Sequence, residues 1–145
     1  MPPVTLEATD GRTITLASQK GRIVVFAYPR TGVPGQASLV DDWDMIPGAR
    51  GCTPQTCSFR DLHADLTRAG AAAVFGLSSQ DTAYQREMVE RMHVPFPVLS
   101  DDELALTNAL QLPTMTVADQ VFEGCVVAGN RLVNRTLPVR TALAS

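Results

Sequence analysis

The chain has no basic run, no Cys-x-x-Cys pair and no long apolar stretch, and each absence removes a class of function. Lysine and arginine total 12 against 15 acidic residues, a formal charge of −3. The basic residues are scattered, so there is no electrostatic footprint for nucleic acid or for an anionic lipid surface. A helix that spans a bilayer needs about eighteen or more consecutive apolar residues, and no window approaches that. The start, Met1-Pro2-Pro3-Val4-Thr5, lacks the basic segment and apolar run of a secretory leader, and the expected location is cytoplasmic. Cysteine is scarce as well. Three, an odd number, cannot staple a small scaffold, and in a reducing compartment they read as catalytic, redox-sensing or structural thiols. His63 and His93 are the only histidines and neither has zinc-site spacing around it, so no metal and no prosthetic group is expected. With no internal repeat, residues 1–145 suit one domain that buries a single sheet with helices on its faces.

What the chain does have is concentrated between Arg50 and Asp61, which holds two of the three cysteines. Gly51 supplies a tight turn and Pro54 fits a first helical turn, where its missing N–H costs nothing. Phe59, Leu62 and Leu66 follow at spacings of three, four and seven, which predicts a helix from about 52 to 68 with one apolar face. Cys52 then opens that helix. Unpaired N–H groups and the positive end of the macrodipole favour a thiolate there, and Arg50 and Arg60 push the same way. Cys57 comes five residues later, about 500° of turn and 7.5 Å of rise, so the two sulfurs point to different faces. A bridge between them needs Cα atoms within roughly 7 Å, hence unwinding of the first turns. A reactive cysteine with a second one released by unwinding forms a redox switch. The alternative is two small core residues.

These residues also carry a family likeness. Gly51-Cys52-Thr53-Pro54-Gln55-Thr56-Cys57-Ser58-Phe59-Arg60-Asp61 resembles the GCTxxxCxFRD signature of the peroxiredoxin Q group, also called bacterioferritin comigratory proteins. The resemblance runs in motif order from Val4 to about Leu112. It implies an α/β, thioredoxin-like fold: a central mixed sheet flanked by helices, with an N-terminal β-hairpin. It also implies a thiol peroxidase in which Cys52 is peroxidatic, passes through a sulfenic acid and condenses with the resolving Cys57 in an intramolecular disulfide. The implied partners are a hydroperoxide substrate and a dithiol protein reductant such as a thioredoxin or glutaredoxin, with the chain a monomer or weak dimer. A different class of function uses the same pair without catalysis, as a redox-responsive binding protein.

Two departures from the family pattern bear on that choice. Peroxiredoxins carry a Thr or Ser three positions before the peroxidatic cysteine, and here that position is Ala49; Thr31 and Thr53 are the nearby hydroxyls. The family's late-strand arginine falls by position on Phe122 or Glu123, with Arg131 and Arg135 the nearest candidates and Arg60 a further one.

Around this stretch the chain reads as alternating strands and helices. Residues 4–8 and 13–16 alternate apolar with polar on either side of Asp10-Gly11, a hairpin signal. The run 22–28 is continuously apolar after Arg22, as expected of a central strand buried on both faces, and it stops at Pro29. The segment from about 30 to 51 is too long for a plain connection and reads as an insertion folding over the cysteine, with Trp43, Met45 and Ile46 as its apolar underside. Ala71–Leu77 reads as a second buried strand. Ser79 or Asp81 then caps a helix whose buried stripe is Tyr84, Met88, Val89 and Met92. Residues 95–101 resemble the family's FPLLSD element, a short strand leading into a capped helix with Leu104, Leu106 and Leu110. Further strands are expected at 114–117, 121–122 and 125–127, with Cys125 a buried structural thiol.

Overall fold

Alternation along the two apolar runs decides the architecture, because successive strand residues face opposite sides of a sheet. In the computed structural model, which describes residues 2–28, 30, 52–112, 114–117, 120–123, 126–129 and 135–136, both runs are neighbouring strands. For residues 52–55 and from 115 onward the description is of the backbone. The elements are β1 (Thr5–Ala8), β2 (Thr13–Thr15), a 3-10 turn (Leu16–Ser18), β3 (Arg22–Ala27), α1 (Cys52–Arg68), β4 (Ala71–Ser78) and α2 (Thr82–Met92). They continue with β5 (Val98–Ser100), α3 (Ala105–Leu110), β6 (Thr114–Val117), β7 (Gln120–Glu123), β8 (Val126–Gly129) and β9 (Arg135–Thr136).

Among the described residues, seven strands form one sheet in the order β2-β1-β5-β4-β3-β8-β9, while β6 and β7 pair separately. The central β3-β4-β5 pairings are parallel, and the flanking pairs are antiparallel. The mixed sheet and the N-terminal hairpin are therefore as expected. The hairpin extends the sheet instead of lying over it: β1 joins the open edge of β5, with Glu7 opposite Ser100. Its turn closes through Gly11 in the left-handed region (φ 88°), with Ala8 N–H donating to the Arg12 carbonyl at 2.9 Å.

Two apolar layers result. Ile23, Val25 and Ala27 of β3 join Phe75 and Leu77 of β4, Leu99 of β5, Leu6, Ile14 and Leu16 of the hairpin region, and Leu106 of α3. The opposite face carries Phe26, Tyr28, Val74 and Val98, and there Met88 and Met92 of α2 and Cys57, Phe59 and Leu66 of α1 close over it. The strand run ends at Ala27, and Tyr28 continues it through one more bond, its N–H donating to the Leu77 carbonyl at 3.0 Å.

Each helix is held by a specific device. Asp81 caps α2, its side chain accepting from Tyr84 N–H at 2.7 Å. Gln85 is fully buried and its amide donates to the Leu99 carbonyl at 2.8 Å and the Ser78 hydroxyl at 2.9 Å, sewing α2 to β4 and β5. The buried Asp101 carboxylate accepts from Leu106 N–H (3.0 Å), Thr107 N–H (2.8 Å) and the Thr107 hydroxyl (2.6 Å), which fixes the start of α3.

One expectation about α1 is corrected. Leu62 lies off the buried stripe and is 48% exposed. The face toward the sheet is made by Thr56, Phe59, His63 and Leu66, at intervals of three, four and three residues. At about 100° per residue, Leu62 sits roughly 80° from the middle of that face. Tyr84 is likewise only half-buried, and the stripe of α2 runs through Gln85, Met88 and Met92.

Candidate active site

The local fold puts Cys52 where the sequence expects it, as the first residue of α1, the helix that follows β3 and packs on β4. The first N–H groups of a helix have no partner within it, and they carry the positive end of its dipole. A cysteine at that position is placed where an anion is favoured. The expectations about Pro29, Thr31, Ala49, Arg50, Gly51 and the overlying segment with Trp43, Met45 and Ile46 lie outside the described residues. So do Cys125 and Arg131, while Cys52, Thr53 and Arg135 are placed by their backbones alone.

Cys57 is a free thiol, half-buried, and packed against the apolar layer that contains Phe26 and Tyr28. It stays within regular helix together with Cys52. For residues five apart in an α-helix the Cα separation is about 8.7 Å, beyond the roughly 7 Å that a disulfide tolerates. The reduced helix therefore keeps the two cysteines apart, and a bond between them requires the first turns to open. Thr56, next to Cys57, is fully buried.

Phe59 and Arg60 fasten the helix just beyond Cys57. The Phe59 ring lies face to face on Phe26, with centroids 4.2 Å apart and an interplanar angle of 3°. Arg60 donates from Nε to the Asp61 carboxylate at 3.0 Å and from Nη1 to the Met92 carbonyl at 2.9 Å. The Arg60 pKa is raised above its ordinary value, first by the hydrogen bond to Asp61 and then by the charge of Cys57, one helical turn away. Arg60 thus serves the Cys57 side of the helix and the end of α2. His63 packs its ring against Phe96, centroids 5.7 Å apart, and no group of three or more His, Cys, Asp or Glu side chains suited to a metal occurs among the described residues.

Sequence reasoning missed the ring stack and the reach of Arg60 to Met92, because both join residues more than thirty positions apart. It also missed Arg30, whose guanidinium lies 5.6 Å from the centre of the Tyr84 ring. The only signal for that contact was an arginine just past the end of a buried strand and an aromatic in the first turn of the following helix but one.

A mixed sheet with an N-terminal hairpin and helices packed on it is the thioredoxin-like architecture. The match to the Redoxin family covers residues 1–132, and the chain belongs to that family. Among curated relatives, it is 36% identical over 102 residues to the chloroplastic peroxiredoxin Q of Oryza sativa subsp. japonica, covering 70% of this chain and 39% of that protein. It is 30% identical over 112 residues to peroxiredoxin Bcp of Bacillus subtilis, covering 77% of this chain and 60% of that one. The chain spans about two fifths of the length of the plant relative and three fifths of the bacterial one. Solved structures share the fold: the Xanthomonas campestris bacterioferritin comigratory protein at TM-score 0.63 and 20% identity, covering 87% of this chain and 71% of that one. The peroxidoxin BcpB of Mycobacterium tuberculosis matches at TM-score 0.68 and 18% identity, over 97% and 89% of the two chains.

Proposed function

We propose that this protein is a thiol peroxidase that reduces hydrogen peroxide or a small organic hydroperoxide through Cys52 and Cys57. The observation that carries the reading is the placement of both cysteines on one helix, the first at its N-terminal residue and the second five positions on, half-buried against the sheet. Kinship with peroxiredoxin Q and Bcp proteins supports it, as does the fold shared with the Xanthomonas protein, for which alkyl peroxide reduction is described.

The chemistry follows from that placement. The Cys52 thiolate attacks one peroxide oxygen, the O–O bond breaks, and the departing oxygen takes a proton to leave as water or an alcohol. Cys52 is then a sulfenic acid. The first turns of α1 unwind, the Cys57 sulfur attacks the Cys52 sulfur, an S–S bond forms and hydroxide leaves as water with the Cys57 proton. A dithiol protein of a reducing, cytoplasmic compartment returns both thiols.

Stopped-flow measurement of Cys52 oxidation tests the reading. The expected rate constant exceeds that of a free thiolate by orders of magnitude. A value no higher assigns the pair to redox-responsive binding without turnover. Replacing Cys57 with Ser is expected to accumulate sulfenic acid on Cys52, and an internal disulfide in that variant removes Cys57 from the resolving role.

A further inference from the structure

The FRD part of the motif has no place in the chemistry above, yet its three side chains act together. Phe59 stacks on Phe26 of β3, Arg60 reaches the Met92 carbonyl, and Asp61 accepts from Arg60 Nε. The acceptor at Met92 is significant. The chain leaves α2 through His93 in the left-handed region, and the amides of His93 and Val94 turn back onto the carbonyls of Glu90 and Val89. Met92, the last residue of α2, offers a further carbonyl at the negative end of that helix, and Arg60 supplies a cationic donor to it. Two consecutive residues of α1 are thereby fixed to different elements, Phe59 to β3 and Arg60 to the end of α2. Cys57 lies two residues before this double tie, on the side of Cys52.

The geometry points to Arg60 as the stop on the unwinding of α1: a positioning residue that confines the opening to residues 52–58 and keeps Cys57 at the edge of the opened segment. This deepens the peroxidase reading and rests on it. The step served is the one already balanced above, in which the Cys57 sulfur displaces hydroxide from the Cys52 sulfenic acid. With the stop in place the mobile loop that must bring the sulfurs together is short, and short loops close at the least entropic cost. Without it the helix opens further, and the same reaction draws on a larger set of conformations. Asp61 orients the guanidinium toward Met92, and Phe59 supplies the apolar half of the stop.

Amide hydrogen exchange on the full chain, reduced and with the Cys52–Cys57 disulfide formed, tests this. The disulfide is made both with hydrogen peroxide and with an azodicarboxamide dithiol oxidant, which accepts the two electrons and two protons itself. In the oxidised wild type, the amides of 53 and 55–62 are expected to exchange freely, since those of 59–62 lose their carbonyl acceptors when 52–58 unwind, while 63–68 stay protected. In oxidised Arg60→Met, protection at 63–66 is expected to fall by about tenfold, the weight of one lost charged hydrogen bond. Arg60→Lys, which keeps a cationic donor, is expected to recover most of it, and in the reduced forms, where 52–58 also hold the helix, the loss at 63–66 is expected to be several-fold smaller. Equal protection in oxidised wild type and Arg60→Met overturns the proposal. A loss in reduced Arg60→Met as large as in the oxidised form also overturns it, since Arg60 is then a general tie of the fold. A disulfide that forms with the azo oxidant but not with peroxide removes the peroxidase reading and leaves the stop tested on its own.

Discussion

Replacing Phe59 with Ala removes the ring that holds α1 to β3. Phe59 is half-buried and stacked nearly parallel on Phe26 at 4.2 Å. Full removal of a buried phenylalanine costs about 3–5 kcal/mol, so partial burial puts the loss near half of that. The aromatic pair adds about 0.5–1.5 kcal/mol, for a total of about 2–4 kcal/mol. In urea, with a slope of about 2 kcal/mol per molar, the unfolding midpoint of the reduced protein should drop by about 1–2 M. Phe59→Leu keeps most of the volume and should lose only about a third to a half of that. The redox prediction runs with it: because Phe59 closes the segment that unwinds, Phe59→Ala should form the Cys52–Cys57 disulfide more slowly once Cys52 is a sulfenic acid, even where it remains fully folded. The reasoning fails if Phe59→Ala shifts the midpoint by less than about 0.3 M, which corresponds to a stack that contributes almost nothing.

Other predictions follow from the supports of the sheet. Asp101→Ala leaves two backbone N–H groups and a buried hydroxyl without their acceptor, and should destabilise the protein by about 2–4 kcal/mol by urea titration, with Asp101→Asn recovering part of it. Gly76→Ala puts a Cβ 3.2 Å from both Phe26 Cζ and Val98 Cγ2, so one of these side chains must give way. The expected cost is about 1–3 kcal/mol, and a neutral result would show that it yields freely. The Asp10 carboxyl is held below its ordinary pKa of 3.8, chiefly by its hydrogen bond to Arg12. A depressed native pKa stabilises the fold above the unfolded value and loses that contribution as the pH falls through the native value. The thermal midpoint of Asp10→Asn should therefore lie slightly below wild type at pH 7, and the two should converge below pH 3.8.

Much of this architecture was legible in the residues, and the reasons are local. The helix from Cys52 to Arg68 was readable from Pro54, which suits a first turn, and from the spacing of Phe59 and Leu66 along it. β3 and β4 declare themselves as unbroken apolar runs because both faces of a central parallel strand are covered. Leu62 misled because three-residue spacing from Phe59 fits one apolar face as well as four-residue spacing does; only the packed sheet distinguishes them. Gln85 was invisible for the opposite reason. A polar residue on a buried helical face reads as a surface position until its partners, the Ser78 hydroxyl and the Leu99 carbonyl, are placed beneath it. The pairing of the two cysteines on one helix was readable from their spacing and motif, whereas the reach of Arg60 to Met92 depends on how α1 and α2 are set side by side.

The parallel register of β3 with β4 has an evolutionary consequence. Val24 opposite Val74 and Ala27 opposite Leu77 lock the strands, and α1 is anchored to the same face by Phe59 and Leu66. Both ends of the span between residues 28 and 52 are thus set by the scaffold. The seat of α1 is thereby decided by strand register and by these two side chains. Substitutions that spare these contacts leave the helix opened by the first cysteine on the same side of the sheet, so its lineage can drift widely elsewhere without displacing it.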